Sequence, residues 1–324
     1  SSFVLFKIIK DISNIGIGLI SIFTLSSSFI WFSYSKYCSP DTLYIFLNLL
    51  GILFLLKTSN SLKEKNKNKF LFLSGLSLSL PFFVRSYLQI LPLVSILPLI
   101  YCKIKNLRCK NTRYLIIGFF VGLTPLIIFY YISFRTYGVD SLIRPYVLLH
   151  GKALTENNIF EGFLFYPRNL ILLSTPFFIF LINGTRYILK NKSREIQILL
   201  VFTPFINIVL LMLTASKYSH YGLFTIPLLA SNASFGIYES FKKKSNGSKL
   251  ELRIFGGLML IISSLIFSIS IINFHLKILN QFNLFEGFII SFFSLISLIL
   301  SLNLILKTNS KSLNINNILS IFFI

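Results

Sequence analysis

The chain has 324 residues, of which 54% are hydrophobic and only 13% charged, with a mean hydropathy of +0.77. A soluble globular domain carries about 25% charged residues, so the composition excludes an ordinary soluble fold and points to a chain embedded in a membrane. The net charge of +21 does not indicate nucleic acid. The basic residues stand in short clusters between apolar runs, without the interleaved aromatics or fold motif of a nucleic-acid surface, and that is the positive-inside pattern.

A spanning helix needs about 20 apolar residues, with roughly 17–25 usual. In chain order the apolar runs predict ten spans, at about 14–33, 41–56, 70–84, 87–102, 114–133, 163–183, 196–213, 221–238, 254–273 and 285–306, and an eleventh begins near Leu313. The pair between 70 and 102 is interrupted by Pro81, Arg85, Pro92 and Pro98, which predicts a bent hairpin whose turn dips outward. The expected fold is all-α: a polytopic transmembrane helix bundle forming a single domain over 1–324. The chain opens on Ser1 rather than Met and stops at Ile324 inside an apolar run, so both ends are expected to be cut.

With the N-terminus inside, the inner segments hold the clusters around Lys7, Lys57–Lys69, Lys103–Arg113, Arg186–Arg194, Lys242–Arg253 and Lys307. The outer side keeps only Lys36, Arg85, Arg135, Arg144, Lys152, Arg168, Lys217 and Lys277. The bias holds at every inner loop and fixes the expected orientation. The outer side carries the more varied chemistry, with His150, His220 and His275 and also Asp41, Asp140, Glu156 and Glu161. Its longest segment is 134–162, where VDSLIRPYVLL at 139–149 mixes apolar and basic residues and is expected to lie along the interface as a short amphipathic helix.

Cys38, Cys102 and Cys109 form neither a metal spacing nor a disulfide framework. There is no GxxxxGK[ST] phosphate loop, HExxH, CxxC or GxSxG, so no motif supports ATP-driven transport or soluble-type hydrolysis. No metal or other cofactor site is identified, and metal dependence stays open.

Four places remain as candidates. In SKYCSPD, Asp41 opens a helix, either as a cap that complements the helix dipole or as a carboxylate lining an outer cavity. In PFFVRSYLQ, Arg85 interrupts the hairpin turn, either snorkelling to headgroups or offering a guanidinium fork to a phosphate. Between 149 and 168, His150 is a solvated loop histidine or a base, and Tyr166 and Arg168 are interfacial anchors or ligands. The fourth is the knot SKYSHY, where Lys217, Tyr218, His220 and Tyr221 are packed between two apolar runs. Charged groups at a membrane boundary are functional candidates, although Tyr and Lys are also ordinary boundary anchors.

These motifs resemble membrane glycosyltransferases of the GT-C type, the aminoarabinose and protein-mannosyltransferase-like group. That group has a late outer turn of the form K/R-x-x-x-Y-x-x-x-x-x-P before a small-residue helix, which Lys217, Tyr221 and Pro227 match. Pro40-Asp41 followed by Leu43 and Phe46 is similar to its Pro-Asp opening of a D-x-L-x-x-F helix. Gly75 through Arg85 to Pro92 resembles its Gly-containing helix, basic turn and Pro-rich helix, with Arg85 where a Lys is common. The Tyr166-Pro167 helix entry and the later Pro176 also fit, and the resemblance covers about 20–238.

The resemblance implies an enzyme of the cell envelope: an integral, multi-pass protein of the inner or plasma membrane with its site on the extracytoplasmic face. It would transfer a sugar from a polyprenyl-phosphate donor to a lipid, glycan or protein acceptor. An inverting transfer needs a base for the acceptor proton and positive charge at the departing phosphate. Arg85 and Lys217 are the expected phosphate ligands, Asp41 a supporting carboxylate that orients sugar or acceptor, and Tyr218, His220 and Tyr221 hydrogen-bond partners of sugar or phosphate. The group's main catalytic carboxylate, often Asp-Glu, stands in its first outer loop. No such loop precedes Asn14, so it is expected in sequence ahead of Ser1, and the fragment alone is expected to lack activity. The alternatives are an O-antigen-type polysaccharide polymerase or ligase, which works through outer arginines such as Arg135, Arg144 and Arg168, and a secondary transporter, which calls for paired repeats that the chain does not show.

Overall fold

A computed structural model describes residues 1–36, 39–60, 63–105, 109–141, 143, 164–170, 177–214, 217–243, 246–276, 294–299 and 301–302. Among these residues the chain is helical almost throughout, with no strand. The helices are α1 (Ser2–Ile12), α2 (Ile15–Ser26), α3 (Phe29–Lys36), α4 (Pro40–Asn60), α5 (Glu64–Ser79), α6 (Pro81–Arg85), α7 (Ile90–Lys105), α8 (Cys109–Tyr137), α9 (164–170), α10 (Leu181–Asn191), α11 (Arg194–Leu213), α12 (Thr225–Lys243) and α13 (Asn246–Leu276).

Among the described residues, four helical stretches are long and apolar enough to cross a membrane: Pro40–Ser59, Glu64–Lys105, Asn111–Tyr137 and Arg194–Leu213. The pair α2–α3 makes a fifth if it counts as one broken span. The expected span at 285–306 falls largely outside the described residues, as does most of the expected interfacial helix at 139–149, and that at 163–183 is described only as the helix 164–170 and the turn and helix start over 177–183. The run expected at 14–33 is broken: α2 and α3 meet at 68° across Ser27 and Ser28. Ser27 Oγ donates back to the Phe23 carbonyl at 2.6 Å, the back-bonding that bends helices.

The stretch from Glu64 to Lys105 is 42 residues long, about 63 Å if straight. It is not straight. Lys103 Nζ, near its end, donates to Ser59 Oγ, five residues before its start, so both ends lie together and the segment folds back. The fold-back is at α6 and the 3-10 turn Ser86–Gln89, where the prolines and Arg85 interrupt the apolar run. Gln89 locks the returning arm by bonding Asn48 of α4 and the Leu78 carbonyl of α5. This is the hairpin expected from the sequence.

Two close helix crossings set the registers. On α8, Gly118 and Gly122 form a GxxxG pair that faces Gly75 and Ser79 of α5. A Cβ on Gly75 would overlap the Leu115 carbonyl oxygen, and one on Gly118 the Phe72 carbonyl oxygen. Small residues let helix backbones touch where hydrocarbon supplies no hydrophobic drive. In the other half, Gly184 of α10 and Gly236 of α12 play the same part. Pro204 in α11 cannot donate to Leu200, and a π-helical turn forms over Ile198–Phe202. Asn232 of α12 fills the gap, donating to the Leu200 carbonyl at 3.1 Å and to Thr185 Oγ1 at 3.0 Å. At the end opposite the hairpin turn, buried Lys103 pairs with Glu195 and ties α7 to α11.

Candidate functional site

The hairpin turn, the start of α4 and the turn before α12 meet at one end of the bundle. Ser39 precedes α4, Pro40 takes its first position, and Asp41 lies in its first turn. Ser39 Oγ accepts the Asp41 backbone N–H at 3.3 Å and donates to Asp41 Oδ2 at 2.6 Å. The cap at this turn is therefore Ser39 and not Asp41, whose carboxylate instead takes the Ser39 hydroxyl and a partner across the bundle. Its Oδ1 accepts from Arg85 Nη2 in an ion pair, with Asp41 almost fully buried and Arg85 about one-fifth exposed (21%). Arg85 closes α6, and the next residue, Ser86, has φ 47° and ψ −130°. That is a strained backbone for a residue with a Cβ, and it directs the chain into the returning arm directly after Arg85.

A small, open cleft lies beside this ion pair, lined by Asp41, Tyr44, Arg85, Leu91, His220 and Tyr221 among others. His220 and Tyr221 come from the 3-10 turn Ser219–Phe224. Their rings pack edge to face at 4.6 Å, and Tyr218 stacks on His220 at 5.4 Å and 29°. Tyr34 of α3 closes the cluster, 6.0 Å from His220. Burial lowers the His220 pKa from its ordinary 6.5. The nearby Arg85 cation lowers it further, and Asp41 acts the other way. At neutral pH His220 is therefore neutral, able to donate one hydrogen bond and accept another.

Of the residues expected from the sequence, Asp41, Arg85, His220 and Tyr221 share the cleft, and Tyr218 stands behind His220. Lys217 has another post. Its ammonium lies on the carbonyls of Leu211 (3.3 Å), Met212 (2.7 Å) and Thr214, the open end of α11, and 5.6 Å over the Tyr166 ring. A cation there completes the helix end and complements its dipole. Tyr166 is buried beneath the knot and its hydroxyl accepts the Tyr218 N–H at 3.3 Å, so it supports the turn from below. Arg168 is exposed on α9 and does not line the cleft. His150 lies outside the described residues.

Tyr44 in the cleft wall and Tyr34, which packs on His220 beside it, escaped the sequence reading. Tyr44 stands three residues after Asp41 on the same face of α4, and that spacing was signal enough to find it. Tyr34 had no such signal, because the bend after α2 brings it across. Among the described residues no three His, Cys, Asp or Glu side chains gather as a metal site. Chemically the cleft is rich in hydrogen-bond donors: a guanidinium fixed by a carboxylate, with an imidazole and tyrosines beside it. It suits an oxygen-rich anion. No protein-family model, curated protein or solved structure matches the chain.

Proposed function

We propose that the chain is part of a polytopic membrane glycosyltransferase of GT-C type, which moves a sugar from a polyprenyl-phosphate donor to an acceptor at the cleft end of the bundle. The observation that carries this reading is the convergence of Asp41, Arg85, His220 and Tyr221, from three separate segments, at one cleft. In the reaction the bond from the anomeric carbon to the phosphate oxygen breaks and the acceptor oxygen bonds that carbon. Negative charge grows on the departing phosphate, and the guanidinium of Arg85 is placed to take it. Asp41 holds that guanidinium in position. Neutral His220 is the cleft group able to accept a proton, and Tyr44 and Tyr221 offer hydroxyls to the sugar. Lys217 acts through the turn it anchors. The distribution of the basic clusters supports an extracytoplasmic cleft.

The test is transfer of radiolabelled sugar from a purified polyprenyl-phosphate donor by the full-length protein in proteoliposomes. Arg85→Ala should lower kcat by about 100-fold or more, while Arg113→Ala, far along the chain on α8, should leave it unchanged. Normal turnover by Arg85→Ala would remove the cleft from the reaction.

A further inference from the structure

Helix α10 is too short to be a span. Its 11 residues cover about 16 Å, roughly half of a hydrocarbon core. Its partners on α12 show how it lies. Phe180, just ahead of α10, abuts Gly236, and Asn183 Nδ2 donates to Ser240 Oγ at 3.2 Å. Gly184 then abuts Asn232, and the Tyr187 ring stacks on Phe235 at 6.1 Å. Lys192, beyond the helix end, holds its ammonium 5.2 Å over the same Phe235 ring. These contacts do not advance along α12 as the chain advances, so α10 lies across it. α12 itself leads away from the turn that supplies the cleft. Its Asn232 meets Leu200 of α11, little more than one turn beyond Glu195 and its partner Lys103. α10 therefore lies transverse to the bundle, at the end opposite the cleft.

The circumference of α10 is divided in the order that a membrane boundary demands. Buried Gly184 and Ile188 mark the side against the bundle. Roughly 130° round the helix, at 3.6 residues per turn, lie Ile182 and Leu189, which are 62% and 44% exposed. Roughly 70° further round lie Arg186 and Lys190, both exposed and one turn apart. Protein, exposed hydrocarbon and exposed cation thus follow one another. A helix resting against a bundle in the plane of the interface needs that order, with one side in acyl chains and the next at the phosphates. Neither cation forms an ion pair with an acidic side chain among the described residues. Glu251 of α13 accepts from Asn183 and Ser240, and Arg186 acts on it only through its field. Glu195 is taken by Lys103. We propose that α10 is an interfacial helix and that Arg186 and Lys190 bind the phosphate of an anionic phospholipid in the leaflet at that end of the bundle. The guanidinium offers its fork to two phosphate oxygens, and the ammonium adds a point charge beside it. A zwitterionic headgroup would bring its own ammonium against both, so net negative charge is what the pair selects. The inference rests on the membrane placement of the bundle and is independent of the transferase reading.

Site-directed fluorescence of the full chain in proteoliposomes tests it. A bimane on Ile182→Cys, in an otherwise cysteine-free chain, reports only on lipid beside α10. Doxyl-labelled phosphatidylglycerol should quench it with an association constant about fivefold or more above that of doxyl-labelled phosphatidylcholine. Arg186→Gln combined with Lys190→Gln should bring that ratio close to one, while Arg186→Lys should keep most of it. Lys65→Gln combined with Lys67→Gln, which removes as much charge from α5, should leave the ratio unchanged. Absence of quenching by either lipid would put α10 outside the bilayer and overturn the assignment. Equal quenching by the two lipids, or an unchanged ratio in the folded Arg186→Gln/Lys190→Gln chain, would also overturn it. So would an equal loss in the Lys65→Gln/Lys67→Gln chain, since the preference would then belong to the overall charge and not to α10. Full transfer by Arg85→Ala would defeat the transferase reading and leave this one standing.

Discussion

Arg85 and Asp41 form the contact on which the cleft depends, and they differ in what their loss leaves behind. Asp41 is nearly fully enclosed, while Arg85 keeps some access to solvent. Arg85→Ala strands a buried carboxylate without its counter-charge, which is expected to cost about 2–4 kcal/mol. Asp41→Asn combined with Arg85→Ala removes the stranded charge and should recover part of that loss. A double-mutant cycle by thermal unfolding in detergent measures the coupling, and strictly additive losses would mean that the pair contributes no interaction of its own. His220 sets a pH dependence at the same place. Its folded pKa is depressed below the ordinary 6.5, chiefly by burial. Between the folded value and 6.5 the unfolded chain binds more protons, so stability rises with pH in that window. The His220 contribution is fully present above about 6.5 and is lost as pH falls toward the folded value. The midpoint of wild type should therefore drop on acidification from pH 7 to 5.5, and His220→Gln should flatten that slope.

At the scale of elements, glycine seams and polar locks do what apolar packing alone does not do in hydrocarbon. The α5–α8 crossing depends on the absence of a Cβ at Gly75 and Gly118, since either would run into the opposite backbone. Gly118→Val should push α8 away and cost about 1–3 kcal/mol, read as a lower unfolding midpoint. Gly257→Val is the matched control, because a Cβ there meets nothing within 4 Å. The α5–α8 seam also positions the cleft, because α5 leads directly into α6 and Arg85. The Gln89–Asn48 exchange then fixes the height of the turn against α4, and with it the meeting of Arg85 and Asp41. In the other half, Pro204 opens the α11 backbone and Asn232 closes it, a pairing that ties the π-helical turn to α12.

For the whole molecule, the unequal distribution of basic residues makes the strongest prediction. With Lys65 and Arg135 both exposed, single cysteines at these positions in an otherwise cysteine-free chain should differ toward a membrane-impermeant maleimide applied to intact cells. Residue 135 should react, and residue 65 should react only after permeabilisation. The opposite pattern would invert the bundle and put the cleft on the cytoplasmic face. The amino-acid sequence by itself determined the helical class, the hairpin between 70 and 102, and the polar interruptions at Asp41, Arg85 and the knot. Those follow from local composition: run length, proline, and the cost of charge beside hydrocarbon. It did not determine that Asp41 and Arg85, 44 residues apart, would meet, or that Tyr34 would swing onto His220. Nor did it show that Lys217 would turn inward to a helix end, because an ammonium beside open carbonyls and one facing a phosphate read identically along the chain. Those choices belong to the tertiary structure. Helix registers set by glycine contacts and by the bend after α2 decide which side chains share a space, and these contacts join segments far apart in sequence.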